Sequence, residues 1–278
     1  VRALTTAGGD DFDGRVRYTE APARRVELLR HLTAEGYVSS VRLAAQLGVS
    51  EMTIRRDLEQ LHGEGLARRV IGGAALPAAP FTERNRAGTA EKCAIAAACA
   101  TRLGTARTVA LDAGTTVAPL AMLIAAGTTV VTHSVPVITS CTERDDVDLV
   151  AVGGQYQRDT RAFAGPAART GYGELLIDVA VLSATAVDRS GLLSTNALDA
   201  EIKRVMAGIA ERVILLVDHT KLGGRAPIRV GSLQLVDLVI TDAGASTEQL
   251  DGLRDSGVDI VVAGVEPGGA GDTASHSE

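Results

Sequence analysis

Apolar residues first recur at helical spacing after Arg24, where Val26, Leu29 and Leu32 predict a helix that Gly36 ends. A second amphipathic stretch, Val41 to Leu47, turns Leu43, Ala44 and Leu47 inward. Gly48 then supplies the permissive backbone of a sharp turn through Val49. Ser50 stands where a helix needs an N-cap, and from about Glu51 to His62 the residues Ile54, Leu58 and Leu61 fall at i, i+4 and i+7 on one buried face. Leu66 to Val70, followed by Gly72 and Gly73, reads as a basic hairpin. Two helices across a tight turn, a helix before them and a ribbon after them predict a winged helix-turn-helix.

From Thr89 the pattern changes. A helix from Ala90 to Leu103 leads into a strand at Thr108 to Asp112, a loop, a helix reaching Ala126, and a strand at Thr129 to Thr132. Further strands are expected at Asp148 to Val152, Asp178 to Leu182, Val213 to Val217, Leu235 to Thr241 and Val258 to Val262. Short, nearly continuous Val, Ile and Leu runs separated by helices indicate a mostly parallel sheet covered on both faces. The expected fold class is therefore α/β: a small N-terminal winged helix-turn-helix domain (22–76), a Pro-containing linker without periodicity (77–88), and a larger α/β sensing domain (89–262). Residues 1–21 and 263–278, rich in Gly, Thr, Ser and acids, are expected to be a disordered arm and tail.

Composition narrows the class. No apolar run reaches the roughly 18 residues of a membrane span, and the first 20 residues lack the apolar core of a signal peptide, so a cytoplasmic protein without a membrane partner is expected. Cys93, Cys99 and Cys141 have neither disulfide nor metal-ligand spacing and are expected to be buried free thiols; no metal or cofactor is implied. The net charge of −6 argues against a protein that coats nucleic acid over its whole surface, yet residues 22–76 carry a net +2, so positive charge gathers in the helix-turn-helix. Only three of 28 basic residues are lysines, Lys92, Lys203 and Lys221, and all lie after that segment. In so Arg-rich a chain a lysine can mark a place suited to a compact ammonium.

The helix after the turn presents Glu51, Thr53, Arg55 and Arg56 opposite its apolar face. Arginines early in a recognition helix can pair with guanine in the major groove, and Ser50 and Thr53 suit phosphates or base edges. A solvated face with Arg55 or Arg56 paired to Glu59 is the alternative, which the surrounding pattern disfavours. In the hairpin, alternation lets only one of Arg68 and Arg69 face phosphates squarely; Arg69 is the expected one. The expected DNA-contacting set is Ser50, Thr53, Arg55, Arg56, Arg68 and Arg69, acting on a double-stranded operator. Because one recognition helix reads few base pairs, a homo-oligomer, dimer or tetramer, is expected.

Several strands end in small polar residues: LDAGTT (111–116), VTHS (131–134), VGG (152–154) and VDHTK (217–221). In an open α/β sheet the crevice at these carboxyl ends is the usual ligand site. Gly114, Thr115 and Thr116 at a helix start favour an anion such as phosphate. Lys203 and Lys221 are candidate partners for a negative ligand, and Asp112 or Asp218 for sugar hydroxyls. Thr132, His133, Ser134, Gly153 and Gly154 complete the expected effector-binding set. His133 and His219 lack a third metal ligand at recognisable spacing. The second reading of the same residues is an isomerase-like enzyme with Asp218 or Asp112 as base and Lys221 as electrostatic stabiliser.

VSEMTIRRDLEQL (49–61), LARRVIGGA (66–74), FTERNRAGTAEKCAIA (81–96), LDAGTT, VTHS, VGG, AEIKRVM (200–206), VDHTK and VITD (239–242) occur in an order that resembles the DeoR-type bacterial transcriptional regulators from about Arg24 to Asp242. The resemblance implies a non-enzymatic repressor of sugar genes. Its sensor would be similar to ribose-5-phosphate isomerase and would bind a phosphorylated sugar; a nucleotide or other phosphorylated metabolite stays open. It also implies that each lysine lies in a family motif. This chain departs from the family pattern at Ile71, where His is common, at His133, where Asn is common, and in LSATAVD (182–188), where a Gly-rich segment is common.

Overall fold

The computed structural model describes residues 21–77 and 79–264. The expected arm and tail lie almost wholly outside these; Ala21 and Ala263, which the sequence reading gave to them, belong to a helix and a strand.

The N-terminal unit comprises α1 (Ala21–Glu35), β1 (Tyr37–Ser39), α2 (Ser40–Leu47), α3 (Glu51–Gly63), β2 (Arg68–Val70) and β3 (Gly73–Ala75). Its core is Leu28, Leu32, Val38, Leu43, Ile54, Leu58 and Leu61. The α1 face is one register away from that expected: Arg24, Leu28 and Leu32 are buried at i, i+4 and i+8, while Val26 is 68% exposed. The reason is a buried ion pair. Arg24 Nε donates to Asp57 Oδ2 on α3 at 2.5 Å, so the Arg24 stripe must face the core. Gly48, at φ +66, ends α2 in the left-handed conformation that the turn requires. The wing is a three-stranded antiparallel sheet ordered β1-β3-β2, because β1 also pairs with β3.

The interval read as a linker holds a helix, α4 (Phe81–Arg86), anchored by buried Phe81. One aromatic residue among polar neighbours shows no periodicity in sequence, and its burial comes from contacts far along the chain. Beyond it run α5 (Thr89–Ala100), β4 (Thr108–Leu111), a 3-10 turn at Ala118–Met122, β5 (Thr129–Thr132), α6 (Val135–Thr142) and β6 (Asp148–Ala151). The helix expected to reach Ala126 is only that 3-10 turn. Then come β7 (Gln155–Gln157), β8 (Ala162–Ala164), α7 (Pro166–Gly173), β9 (Ile177–Ser183), β10 (Ala186–Asp188), β11 (Gly191–Ser194), α8 (Ala197–Ile209) and β12 (Ala210–Leu216). The described chain closes with β13 (Ile228–Gly231), β14 (Leu238–Asp242), α9 (Thr247–Arg254) and β15 (Asp259–Ala263).

Seven strands form one parallel sheet, ordered β15-β14-β12-β9-β4-β5-β6. Side chains alternate between two cores: Val179, Val181, Ile214 and Leu216 face one, with Ile95, Cys99 and Val137, while Ala180, Leu182, Val213 and Leu215 face the other, with Tyr172, Ile202 and Met206. The chain enters at β4, proceeds outward to β6, and returns to the opposite side of β4 as β9. The order of winding therefore reverses between β4 and β9, the place where a crevice opens at strand ends. The smaller antiparallel strands β7, β8, β10, β11 and β13 hold no apolar run longer than three residues and are not among the expected strands. Cys99 and Cys141 are buried, whereas Cys93 is exposed, contrary to expectation. Burial pushes the Cys99 thiol up to about 12, and that of Cys141 upward, which leaves both protonated. No helix among the described residues is long and apolar enough to cross a membrane.

Candidate functional site

On the DNA-reading unit, Ser50 caps α3, its Oγ accepting from Thr53 N at 3.1 Å and lying 2.8 Å from Thr53 Oγ1. Both hydroxyls thus shape the helix start and leave its outer surface to longer side chains. Arg55 is exposed and paired with Glu51 at 2.6 Å, and Arg56 is exposed and engages no carboxylate among the described residues. Arg69 points outward, donating to Glu59 of α3, whereas Arg68 is partly covered and its Nε is buried without a hydrogen-bond partner among the described residues. Arg69 is therefore the outward-facing member of the two. The carboxylate at Glu59 does take an arginine, but from the wing and not from the turn of α3 below it. Ile71 at the wing tip is 73% exposed.

Most of the residues expected to bind an effector gather at the reversal between β4 and β9. Asp112, immediately after β4, is fully buried, and its Oδ2 accepts from Ser183 N at 2.8 Å and Ser183 Oγ at 2.6 Å at the end of β9. Only glycine fits at 114: a Cβ there would lie 2.2 Å from Ser183 Oγ. Lys203 reaches in from α8, donating to the same Asp112 oxygen and lying 3.1 Å from Asp199 Oδ1, one turn earlier on its own helix. Burial opposes ionisation of Asp112, but the Lys203 charge and the hydrogen bonds from Lys203 and Ser183 outweigh it and hold the carboxyl down to about 2. Burial likewise opposes the Lys203 charge, and Asp112 and Asp199 outweigh it, so its pKa is raised. Two carboxylates already match this ammonium, which suits it to orienting Asp112 more than to receiving an anion.

His133, after β5, lies in the same cluster. Its Nδ1 is 2.9 Å from the buried Tyr172 hydroxyl, and its Nε2 is 3.7 Å from Asp112 Oδ1. Burial lowers its pKa against the pull of Asp112, so the ring is neutral; burial also raises Tyr172 well above the usual range, so its hydroxyl keeps its proton. The hydroxyl donates to Nδ1, leaving Nε2–H toward the carboxylate. Asp112 Oδ1 is buried without a hydrogen-bond partner among the described residues. A buried carboxylate oxygen without a partner is an acceptor still open to a donor.

A second group stands beside it. Lys221 Nζ donates to Thr116 Oγ1 and to Asp218 Oδ2, each at 3.0 Å, joining the turn after β12 to the LDAGTT loop. Asp218 has its pKa lowered: burial raises it, but Lys221, Thr220 and Lys92 more than compensate. Next to it His219 Nδ1 is 2.6 Å from Asp242 Oδ2 at the end of β14. Lys92 on α5 is buried and close enough to Lys221 and Asp218 for their charges to act on it. All three lysines therefore gather on one rim of the sheet.

Other expected residues serve the backbone. Thr132 Oγ1 donates to Leu111 O at 2.7 Å and accepts from Ser134 N at 3.1 Å, and Ser134 caps α6. Gly153 and Gly154 are exposed beyond β6, where a Cβ at 154 would lie 2.7 Å from Ala164 O. Thr115 is buried in the loop between Asp112 and Thr116. Ser183, Tyr172, Asp199 and Asp242 were not singled out in sequence. Of these, Ser183 carried a signal in the 182–188 segment that departs from the family pattern, and Asp242 as the last residue of the VITD motif; Tyr172 and Asp199 carried none. No cluster of metal-binding side chains occurs among the described residues.

Residues 24–79 match the DeoR-like helix-turn-helix domain, and residues 88–243 match the DeoR C terminal sensor domain. The chain is 31% identical over 264 residues, 91% of this chain and 98% of the other, to the protein assigned as the aga operon transcriptional repressor in Escherichia coli O157:H7. It is 30% identical over 242 residues, 84% of this chain and 95% of the other, to the glycerol-3-phosphate regulon repressor of Escherichia coli (strain K12). Among solved structures, a D-ribose-5-phosphate isomerase in complex with phospho-erythronic acid overlaps 47% of this chain and 52% of its own, at 21% identity and a TM-score of 0.33, too slight an overlap to bear on function.

Proposed function

The chain belongs to the DeoR family of transcriptional regulators, and on that footing we propose that it represses carbohydrate genes from the cytoplasm, with a phosphorylated sugar at the β4–β9 crevice setting its affinity for a double-stranded operator. The family is regulatory, and the relatives named above are repressors and not enzymes. The observation that carries the effector reading is the pairing of two unlike groups on one rim. The orphaned Asp112 Oδ1 offers an acceptor to a hydroxyl, and the Lys221–Thr116 pair beside it offers donors to an oxyanion. A sugar phosphate has both.

Specific DNA contact in this reading comes from Arg55 and Arg56, with Arg69 on a phosphate, and two copies bind paired half-sites. The test is a thermal-shift screen of phosphosugars, followed by gel retardation of the DNA upstream of the chain's own gene with and without each hit. Lys221→Ala is expected to retain DNA binding and lose the response. A chain that no phosphosugar stabilises, or whose DNA complex none alters, is not regulated in this way.

A further inference from the structure

Arg68 is the half of the wing's arginine pair that the DNA contacts leave unused. Arg69 faces outward, whereas Arg68 is partly covered and makes neither an ion pair nor a hydrogen bond among the described residues, although its Nε is buried. A guanidinium keeps its charge in a folded protein, so a buried N–H on it stays unfavourable until an acceptor arrives. Arg68 lines an open cleft of about 690 Å³ between the DNA-reading unit and the sensing domain. One wall is formed by α3 and the wing, with Glu59, His62 and Arg69; the other is formed by Thr195, Asn196 and Ala197, where α8 begins. A space of this size suits a small molecule.

The cleft is one-sided in charge. Its carboxylate, Glu59, is taken by Arg69, and His62 donates Nδ1–H to Ala67 O at 3.1 Å, so neither group neutralises Arg68. The facing wall brings no carboxylate and offers donors instead. Asn196 spends its side-chain oxygen on Leu198 N at 2.9 Å and Asp199 N at 3.4 Å, which leaves its amide N–H groups unengaged among the described residues. The Thr195 hydroxyl makes no hydrogen bond among them either. Donors from two domains therefore face one space in which the single acceptor group is already paired.

We propose that this cleft is an anion site of its own, in which a small phosphate-type oxyanion accepts from Arg68 on the wing and from the Thr195–Asn196 turn on the sensing domain, tying one to the other. It shares no lining residue with the candidate effector group at the β4–β9 crevice and does not depend on that reading. One oxyanion satisfies donors on both walls at once, so its binding and the docking of the wing on the sensing domain favour each other.

Hydrogen–deuterium exchange on the full chain, with inorganic phosphate against chloride at equal ionic strength, tests this. Phosphate at ten times its Kd is expected to slow exchange by about tenfold in residues 67–73 and 194–198 together. Lys221→Ala should keep both effects; their loss would mean that these segments only follow the β4–β9 crevice, and would overturn the cleft site. Arg68→Gln in the Lys221→Ala background should weaken phosphate binding roughly tenfold by calorimetry, the loss of one charged hydrogen bond. Ala197 is exposed at the first position of α8, where a carboxylate suits the helix end, so Ala197→Glu should fold normally, set its own anion opposite Arg68 and abolish the phosphate effect. Unchanged phosphate binding in Ala197→Glu removes the sensing-domain wall from the site and overturns it. Protection of the wing without 194–198, or of neither, does the same. Protection of both segments by duplex DNA and not by phosphate makes the cleft a contact for the DNA backbone, which also overturns a small-anion site.

Discussion

Arg69 of the wing and Glu59 of the recognition helix α3 form an ion pair across an outward face, each side chain more than half exposed. The arginine expected on a phosphate is therefore held by a carboxylate of its own domain in free protein, and DNA must compete for it. Glu59→Gln should raise affinity for duplex DNA at low salt. Arg69→Ala should lower affinity for all sequences alike and reduce the slope of log K against log salt by about one. Salt titrations by fluorescence anisotropy decide this, and an unchanged slope in Arg69→Ala removes it from the DNA contacts.

Arg56 carries the opposite expectation. It is exposed and has no carboxylate to leave among the described residues, so its replacement should not disturb folding. Arg56→Ala should cost about 1–3 kcal/mol of specific operator binding with little change on unrelated DNA, the signature of a base contact. Equal loss on both would make it a phosphate contact instead.

The Arg24–Asp57 pair, with both side chains 6% exposed, holds α1 to α3. Asp57→Ala removes the α3 carboxylate of this buried pair and is expected to destabilise the helix-turn-helix by roughly 3–5 kcal/mol. Thermal unfolding followed by domain-specific exchange should show the loss in residues 21–75 while the sensing domain keeps its protection. A uniform small shift would mean that water or another acceptor satisfies Arg24 in place of Asp57.

Acid should act on the sensing domain in two steps. The neutral His133 has a folded pKa below 6.5 because burial disfavours its charged form, so the unfolded chain binds more protons and stability falls as pH drops below about 6.5. His133→Asn should flatten that part of the profile. Asp112, held down to about 2 from 3.8 by Lys203 against burial, contributes stability that is complete above about 4 and is lost as pH falls toward 2. Asp112→Asn should be less stable at neutral pH and lack the lower step; urea midpoints from pH 7 to 2.5 read both.

The reach of the sequence can be judged from particular residues. Local rules were enough wherever a side chain acts on its own helix or turn: Ser50 as a cap, Gly48 at positive φ, and the Ile54, Leu58 and Leu61 face all lie within one or two turns. Runs of Val, Ile and Leu likewise announced the strands of a parallel sheet, since both faces of its central strands are buried. The rarity of lysine marked Lys92, Lys203 and Lys221 each as a place suited to an ammonium, although spacing could not say which partners they meet. Tertiary structure decided what depends on distant contacts. The α1 face turned by one register to bring Arg24 to Asp57, 33 residues away, and Phe81 made a helix of an aperiodic stretch by burial against a hairpin near Arg161. Asp112 meets Ser183 only because the winding order reverses between β4 and β9, a property of strand order that no local pattern encodes.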